Sequence, residues 1–312
     1  MLSGLVCGLL MFVFACVFSE MMFGTRPALN RAVALGVGMQ TMTVTVGALI
    51  FAHGSGCRSI IAGPDINPVV FLAEAAAAIA DKLCPESSSS GSYGLAPSAG
   101  NASYVPLCSV DPVPTVLVAS SLATLMVGAS FLLLGVLRLT EIVGYIPANV
   151  VSGFLSCIGY KVLKKSVEVA CPTEYKLKLD YLKYYFGSWA GSWMFLIPAL
   201  PIGLTLYALK RYHIGRPTVY FPFFVVVPTA VFYTVIYAQG IGLEEARAMG
   251  WLFAPKAAQN QFWAQYAEMY GSLGTVRWDA LSAAWPSWIV MLLIVNLDSA
   301  RDAGCSRRDA AL

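Results

Sequence analysis

Residues 60–68 read Ile60-Ile61-Ala62-Gly63-Pro64-Asp65-Ile66-Asn67-Pro68 and run straight into an alanine-rich stretch, residues 69–80, of good helix formers. Proline removes an amide that a helix interior needs, and glycine weakens the helix further. Regular helix is therefore expected only after this stretch, inside a segment otherwise apolar enough to lie in a bilayer. Irregular backbone is tolerated at membrane depth only where protein or a water-filled cavity surrounds it. A helix that starts there presents unpaired N–H groups and the positive end of its dipole. That arrangement makes an anion site with no fixed cationic side chain, as discontinuous helices do in transporters. Pro64 suits such a start because its missing N–H is not needed, and Asp65 or Asn67 fits as the cap. A kinked helix without a ligand is the alternative reading.

Composition sets the class. Hydrophobic residues make up 58% of 312 and charged residues 12%, about half the roughly 25% that a soluble domain carries. The expected fold is all-α and polytopic in a membrane, with the lipid bilayer as its surroundings. Net charge is +3 without a basic tract, so nucleic-acid binding has no support. The eight cysteines include no CxxC pair, which argues against zinc or iron–sulfur chemistry. Cys7, Cys16 and Cys157 lie in apolar runs and read as packing residues. Cys84 and Cys108 flank a polar loop and would form a disulfide if that loop faces an oxidising compartment; otherwise they are free thiols at helix ends. No Ser/His/Asp grouping and no nucleotide-binding loop is present. The chain is not expected to be an enzyme, and no metal or organic cofactor is implied.

A span needs roughly 20 apolar residues. Candidates are 2–23, 31–52, the interrupted 60–80, 116–137, 148–163, 193–209, 220–238 and a last one from 286 that stops at 297. Residues 81–114 form a long Ser/Gly/Pro-rich external loop carrying the sequon Asn101-Ala102-Ser103. Residues 164–188, rich in lysine and tyrosine, suit the interface, and 242–251 suits a short amphipathic helix. This divides the chain into 1–163, with five segments, and 164–312, with the interfacial segment and segments six to eight. Lys210, Arg211 and Arg216 favour a cytoplasmic N-terminus by the positive-inside rule, whereas Lys164, Lys165, Lys176 and Lys178 oppose it.

Several polar residues fall within or beside these spans. An ionised Asp65 would repel an anion unless it pairs with a cation or takes up a proton, and embedded acids often relay protons. Anion–proton symport follows as one possibility, and a plain cap at the edge of a cavity is the bland one. Glu20 and Glu74 are placed to face the bundle interior. Asn296 either lines the same cavity or bonds between helices. His53 reads as a membrane-edge residue, and Arg58 as an anion-steering or headgroup-anchoring one.

The strings GLVCGLL (4–10), IAGPDINPVVFLAEAAAAIA (61–80), LLLGVLRLTEIVGYIPANVVSGFLSCIGYKVL (132–163) and IGLEEARAMGWLFAP (241–255) together resemble the sulfate permease (SulP) family of anion transporters, closest to its microbial, fungal and algal branch. The resemblance implies a seven-plus-seven inverted-repeat transporter fold whose third and tenth segments are half-helices facing each other around the anion. It implies that Gly63, Pro64, Asp65, Ile66 and Asn67 form the third-segment half of the site, with Phe14 and Asn296 on the wall. Val13-Phe14 stands where many members carry a Pro-Gln pair. The implied function is secondary transport of an inorganic anion by elevator-like alternating access, with sulfate as the default and bicarbonate or chloride as alternatives. A coupled proton and a homodimer are implied partners. The plasma membrane is the expected location, with a vacuolar or other internal membrane as the alternative. Against fourteen family segments, the chain is expected to be cut after about the eighth and to lack the STAS domain, as an incomplete gene model or altered splicing would produce. The alternative function is then a transport-inactive membrane protein with a regulatory or scaffolding role.

Overall fold

The computed structural model describes residues 2–24, 26–54, 63, 65–84, 110–137, 148–170, 199–213, 217–248, 252, 267, 271 and 273–309. Among them there is no strand. The α-helices are α1 (Leu2–Ser19), α2 (Val33–Gly54), α3 (Ile66–Leu83), α4 (Val113–Val136), α5 (Ala148–Ala170), α6 (Ala199–Arg211), α7 (Pro217–Ala238), α8 (Leu243–Ala248) and α9 (Trp285–Asp309). Four helical stretches are long and apolar enough to cross a membrane: Val6–Gly24, Ala28–Gly54, Val113–Val136 and Trp278–Leu297. The protein is thus an all-α, polytopic membrane protein.

The helices differ from the sequence expectation at their ends. The first span is not uniform: a π-helical turn, Glu20–Gly24, follows α1, and a 3-10 turn, Pro27–Ala32, leads into α2. α5 runs seven residues past the expected stop at 163. α9 continues through Arg301 and Arg307 to Asp309, because charged residues end the apolar stretch without ending the helix. The short helix expected near 242–251 is α8. The loop with its sequon, the interfacial 171–188, Arg58 and Pro64 lie outside the described residues.

By backbone proximity the chain divides into two units, residues 1–10 with 166–257 and residues 11–165 with 258–312. In the first, α6 exposes Leu200, Leu204 and Tyr207, and α7 exposes Phe223, Val226, Val231, Tyr233 and Val235. Among the described residues, an open apolar groove along α7 is lined by α7 itself, with Val227, Ala230 and Thr234 among the lining residues.

The second unit is organised around α3. Val69, Val70, Phe71, Ala73, Ala75, Ala76, Ile79 and Ala80 of that helix are buried, while α2 and α4 leave Leu49, Ile50, Leu125 and Leu132 more than half exposed. Small side chains let neighbouring helices approach closely in a bilayer, and the alanines of α3 do this for α4 and α9. Leu117, Trp288 and Met291 fill the space around them. Lipid-facing polar side chains are satisfied within their own helices: Thr41, Thr43 and Thr45 each donate to the carbonyl four residues back at 2.8–2.9 Å.

One end of this unit is tied by charge. Arg26 bonds Asp81 at 2.6 Å, and Arg31 pairs with Asp111. Lys82 Nζ donates to the Asp279 carbonyl at 2.7 Å and to Ser282 Oγ at 2.8 Å. The Arg277 amide donates to the buried Thr115 hydroxyl at 3.2 Å. Cys84 is disulfide-bonded, the first of the two states the sequence left open for it, and its partner lies outside the described side chains. These ties set the C-terminal end of α3 level with the N-terminal ends of α2, α4 and α9.

The π-turn is seated by Gly36. A Cβ there would fall 2.8 Å from the Phe23 ring and 3.0 Å from Ser19 Oγ, and both neighbours are buried. Gly36→Leu should therefore cost about 1–3 kcal/mol through overpacking. Thermal unfolding in detergent checks this, with a lowered Tm expected and an unchanged Tm contradicting the packing.

Candidate functional site

α3 has 18 residues and α4 has 24. At 1.5 Å per residue, α3 is roughly 9 Å the shorter. With its C-terminal end level with the start of α4, its N-terminal end stops about two turns inside the bundle. A Cβ on Gly63 would lie 2.7 Å from Met11 Sδ, so the chain just before α3 passes close to α1. The interrupted helix expected from residues 60–68 is thus present, and its regular part begins at Ile66.

Asp65 is the N-cap, with extended backbone (φ −102°, ψ 150°), and its Oδ1 accepts from the Ile66 amide at 2.8 Å. The first intrahelical bond, from the Val69 amide to the Asp65 carbonyl, measures 3.4 Å. Of the two caps expected, Asp65 fills the position. Gly63 and Asp65 are exposed, while Ile66 and Asn67 are half-buried. The start of α3 therefore opens outward. A dipole end equivalent to about half a positive charge sits beside a full carboxylate, so the local field depends on whether that carboxylate is ionised.

Phe14 lies one turn along α1 from Met11, on the face that meets Gly63, and stacks on Phe18 with ring centroids 5.8 Å apart. Asn296 is otherwise engaged. Its Nδ2 donates to the Leu292 carbonyl at 2.7 Å, and its amide exchanges hydrogen bonds with Ser130 of α4 at 3.1–3.2 Å. Of the two roles expected for it, the structure displays the bond between helices. Glu20 opens the π-turn. No group of three or more His, Cys, Asp or Glu residues suited to a metal occurs among the described residues.

Sequence reasoning passed over Lys161. It sits inside the expected fifth span, and its Nζ donates to Glu74 Oε2 at 2.8 Å while lying 4.4 Å from the Phe71 ring centroid. The available signal was a lone charge inside the apolar run 148–163 opposite another in 66–80, since intramembrane charges pair.

Helices long and apolar enough to cross the bilayer, packed around one that begins at Ile66 beside an exposed carboxylate, define an all-α polytopic membrane protein. The chain belongs to the sulfate permease family, whose model matches residues 1–303. Members of that family are anion transporters rather than enzymes. The chain is also similar to the "Vacuolar basic amino acid transporter VSB1" of Saccharomyces cerevisiae, at 22% identity over 181 residues. That match covers 57% of this chain and 17% of the relative's length. No solved structure matches.

Enlarging Gly63 tests the close approach. Gly63→Ala meets only the mobile end of Met11 and should be tolerated. Gly63→Leu should weaken sulfate binding by about tenfold or more, since misplacement of order 1 Å is costly in a built site, and Met11→Ala added to it should recover part of the loss. Binding isotherms on the chain in nanodiscs check all three; unchanged affinity in Gly63→Leu would remove Gly63 from the site.

Proposed function

We propose that the chain takes part in secondary transport of an inorganic anion, sulfate first, held at the N-terminal end of α3 and moved by alternating access. The observation that carries this reading is the start of α3 at Ile66, about two turns inside the bundle, in a member of a family of anion transporters. Gly63, Pro64, Asp65, Ile66 and Asn67 contribute the half-helix end, Phe14 the apolar wall, and Asn296 a supporting position on α9. The amides of the first turn and the helix dipole bind negative charge without a dedicated cation. They read charge more than identity, so bicarbonate and chloride stay within reach of the same site. A proton on Asp65 would remove the charge that opposes the anion, which makes a proton the natural coupled ion. A homodimer belongs to the same reading.

A second reading is favoured by Asp65 together with the printed name of the yeast relative. A basic amino acid offers a carboxylate to the α3 amides and a cation to the Asp65 carboxylate, so its own charges match both halves of the site. The plasma membrane is the expected location, and the relative's name supports the vacuolar alternative.

Uptake into proteoliposomes under an imposed proton gradient separates the readings. Labelled sulfate accumulating above the protein-free level, and more strongly with a proton gradient directed inward, supports the first. Labelled lysine or arginine uptake, with none of sulfate, supports the second. Insertion without flux of either contradicts autonomous transport and favours the regulatory or scaffolding role.

A further inference from the structure

One half-buried charged pair of the second unit, Lys161 with Glu74, lies away from both the tied end of α3 and its open start. α5 turns Ile158, Lys161, Val162 and Lys165 toward the bundle, the spacing of a single helical stripe. Ile158 and Lys165 are 5% and 8% exposed, whereas Tyr160 and Leu163 of the same helix are 57% and 67% exposed. Two of the four positions on that inward stripe are therefore lysines. On the other side, Asn67, Phe71 and Glu74 follow one another at i, i+4 and i+7 along one face of α3.

Lys161 joins the two helices. Its ammonium bonds Glu74 Oε2 at 2.8 Å and lies 4.4 Å from the Phe71 ring centroid. Phe71 is five residues, roughly 7 Å, beyond Ile66, so the cation sits on the Asn67 face about a turn and a half from the open end of α3. Its side chain is 30% exposed and that of Glu74 is 37% exposed, so the pair is not sealed away from a small solute. An ammonium has three donors. Glu74 takes one, and the Phe71 face stabilises the charge without using a second.

A half-buried pair kept only for stability is weakly motivated, because apolar replacements often serve as well even for fully buried pairs. In a bilayer such charges mark ion pathways. We propose that Lys161 is a second anion-binding residue behind the α3 start, and that Glu74 is the built-in competitor occupying it when no anion is bound. The ligand class is a small divalent oxyanion such as sulfate, which outbids a single carboxylate for the ammonium. This inference rests on the reading of the α3 start as an anion site, and it supplies the cation that a helix end alone lacks.

The test is sulfate affinity of the full chain in lipid nanodiscs, titrated with sodium sulfate at ionic strength held constant with sodium gluconate. Lys161→Gln should weaken binding about tenfold or more, and Lys161→Arg should stay near wild type. Glu74→Gln should tighten binding several-fold, because it frees the ammonium. The exchange Glu74→Lys with Lys161→Glu should remain weak. A mere latch between α3 and α5 predicts the opposite pattern: both single variants weaken binding and the exchange restores it, which overturns the proposal. If Lys161→Gln does not fold, the direction of the Glu74→Gln effect decides alone. A wild type that binds no sulfate overturns the α3-start reading and this inference with it. Wild-type binding that Lys161→Gln leaves untouched overturns this inference only.

Discussion

A polypeptide in hydrocarbon must satisfy every backbone N–H and C=O from within, and a helix that begins inside the bilayer cannot do so for its first turn. The second unit is arranged around that constraint. α3 is the helix with the unsatisfied start, and it is also the one wrapped on most sides, by α4, α9 and the π-turn after α1. Its neighbours can afford long lipid-facing surfaces because they are complete helices. α3 instead carries alanines at the positions where other backbones come close, and a glycine where the chain before it passes Met11 of α1.

Charge follows the same division. Pairs at the C-terminal end of α3, such as Arg26 with Asp81, are partly exposed and contribute mainly register, since such pairs are individually worth about 0–1 kcal/mol. What they fix is the level of the helix, and hence the depth at which its other end opens. The Glu74–Lys161 pair, midway along α3, lies where a charge needs a stronger reason to exist. Asp65 stands at the open end and makes its field conditional on a proton or a cation. Asp65, Glu74 and Asp81 follow one another along α3, and the cations that face the last two, Lys161 and Arg26, come from other elements.

Much of this was legible in the sequence because it depends on residue types with sharp physical meaning. Proline and glycine in residues 60–68 dictated the interruption, and the spacing of apolar runs gave the spans. The string around 241–255 carried a family resemblance that composition alone would not supply. What the sequence concealed depends on pairing across space. Lys161 reads as an ordinary charge near a helix end until α3 and α5 are set side by side. Asn296 fits a cavity wall or a bond between helices equally well until Ser130 is found opposite it. The π-turn at Glu20–Gly24 has no marker, since it arises from how Phe23 and Ser19 pack on Gly36. The run of α9 to Asp309 shows that apolarity marks where a span stops and not where its helix does.

The central claim is that α3 begins in a polar opening and is then enclosed by protein. Cysteine accessibility along that helix tests it most directly, with native thiols blocked beforehand and a charged, membrane-impermeant thiol reagent applied to Asp65→Cys, Asn67→Cys, Ala73→Cys and Ala76→Cys. The account predicts fast modification at 65, slower modification at 67 and none at 73 or 76. Equal protection at all four positions, or modification continuing through 76, would contradict it.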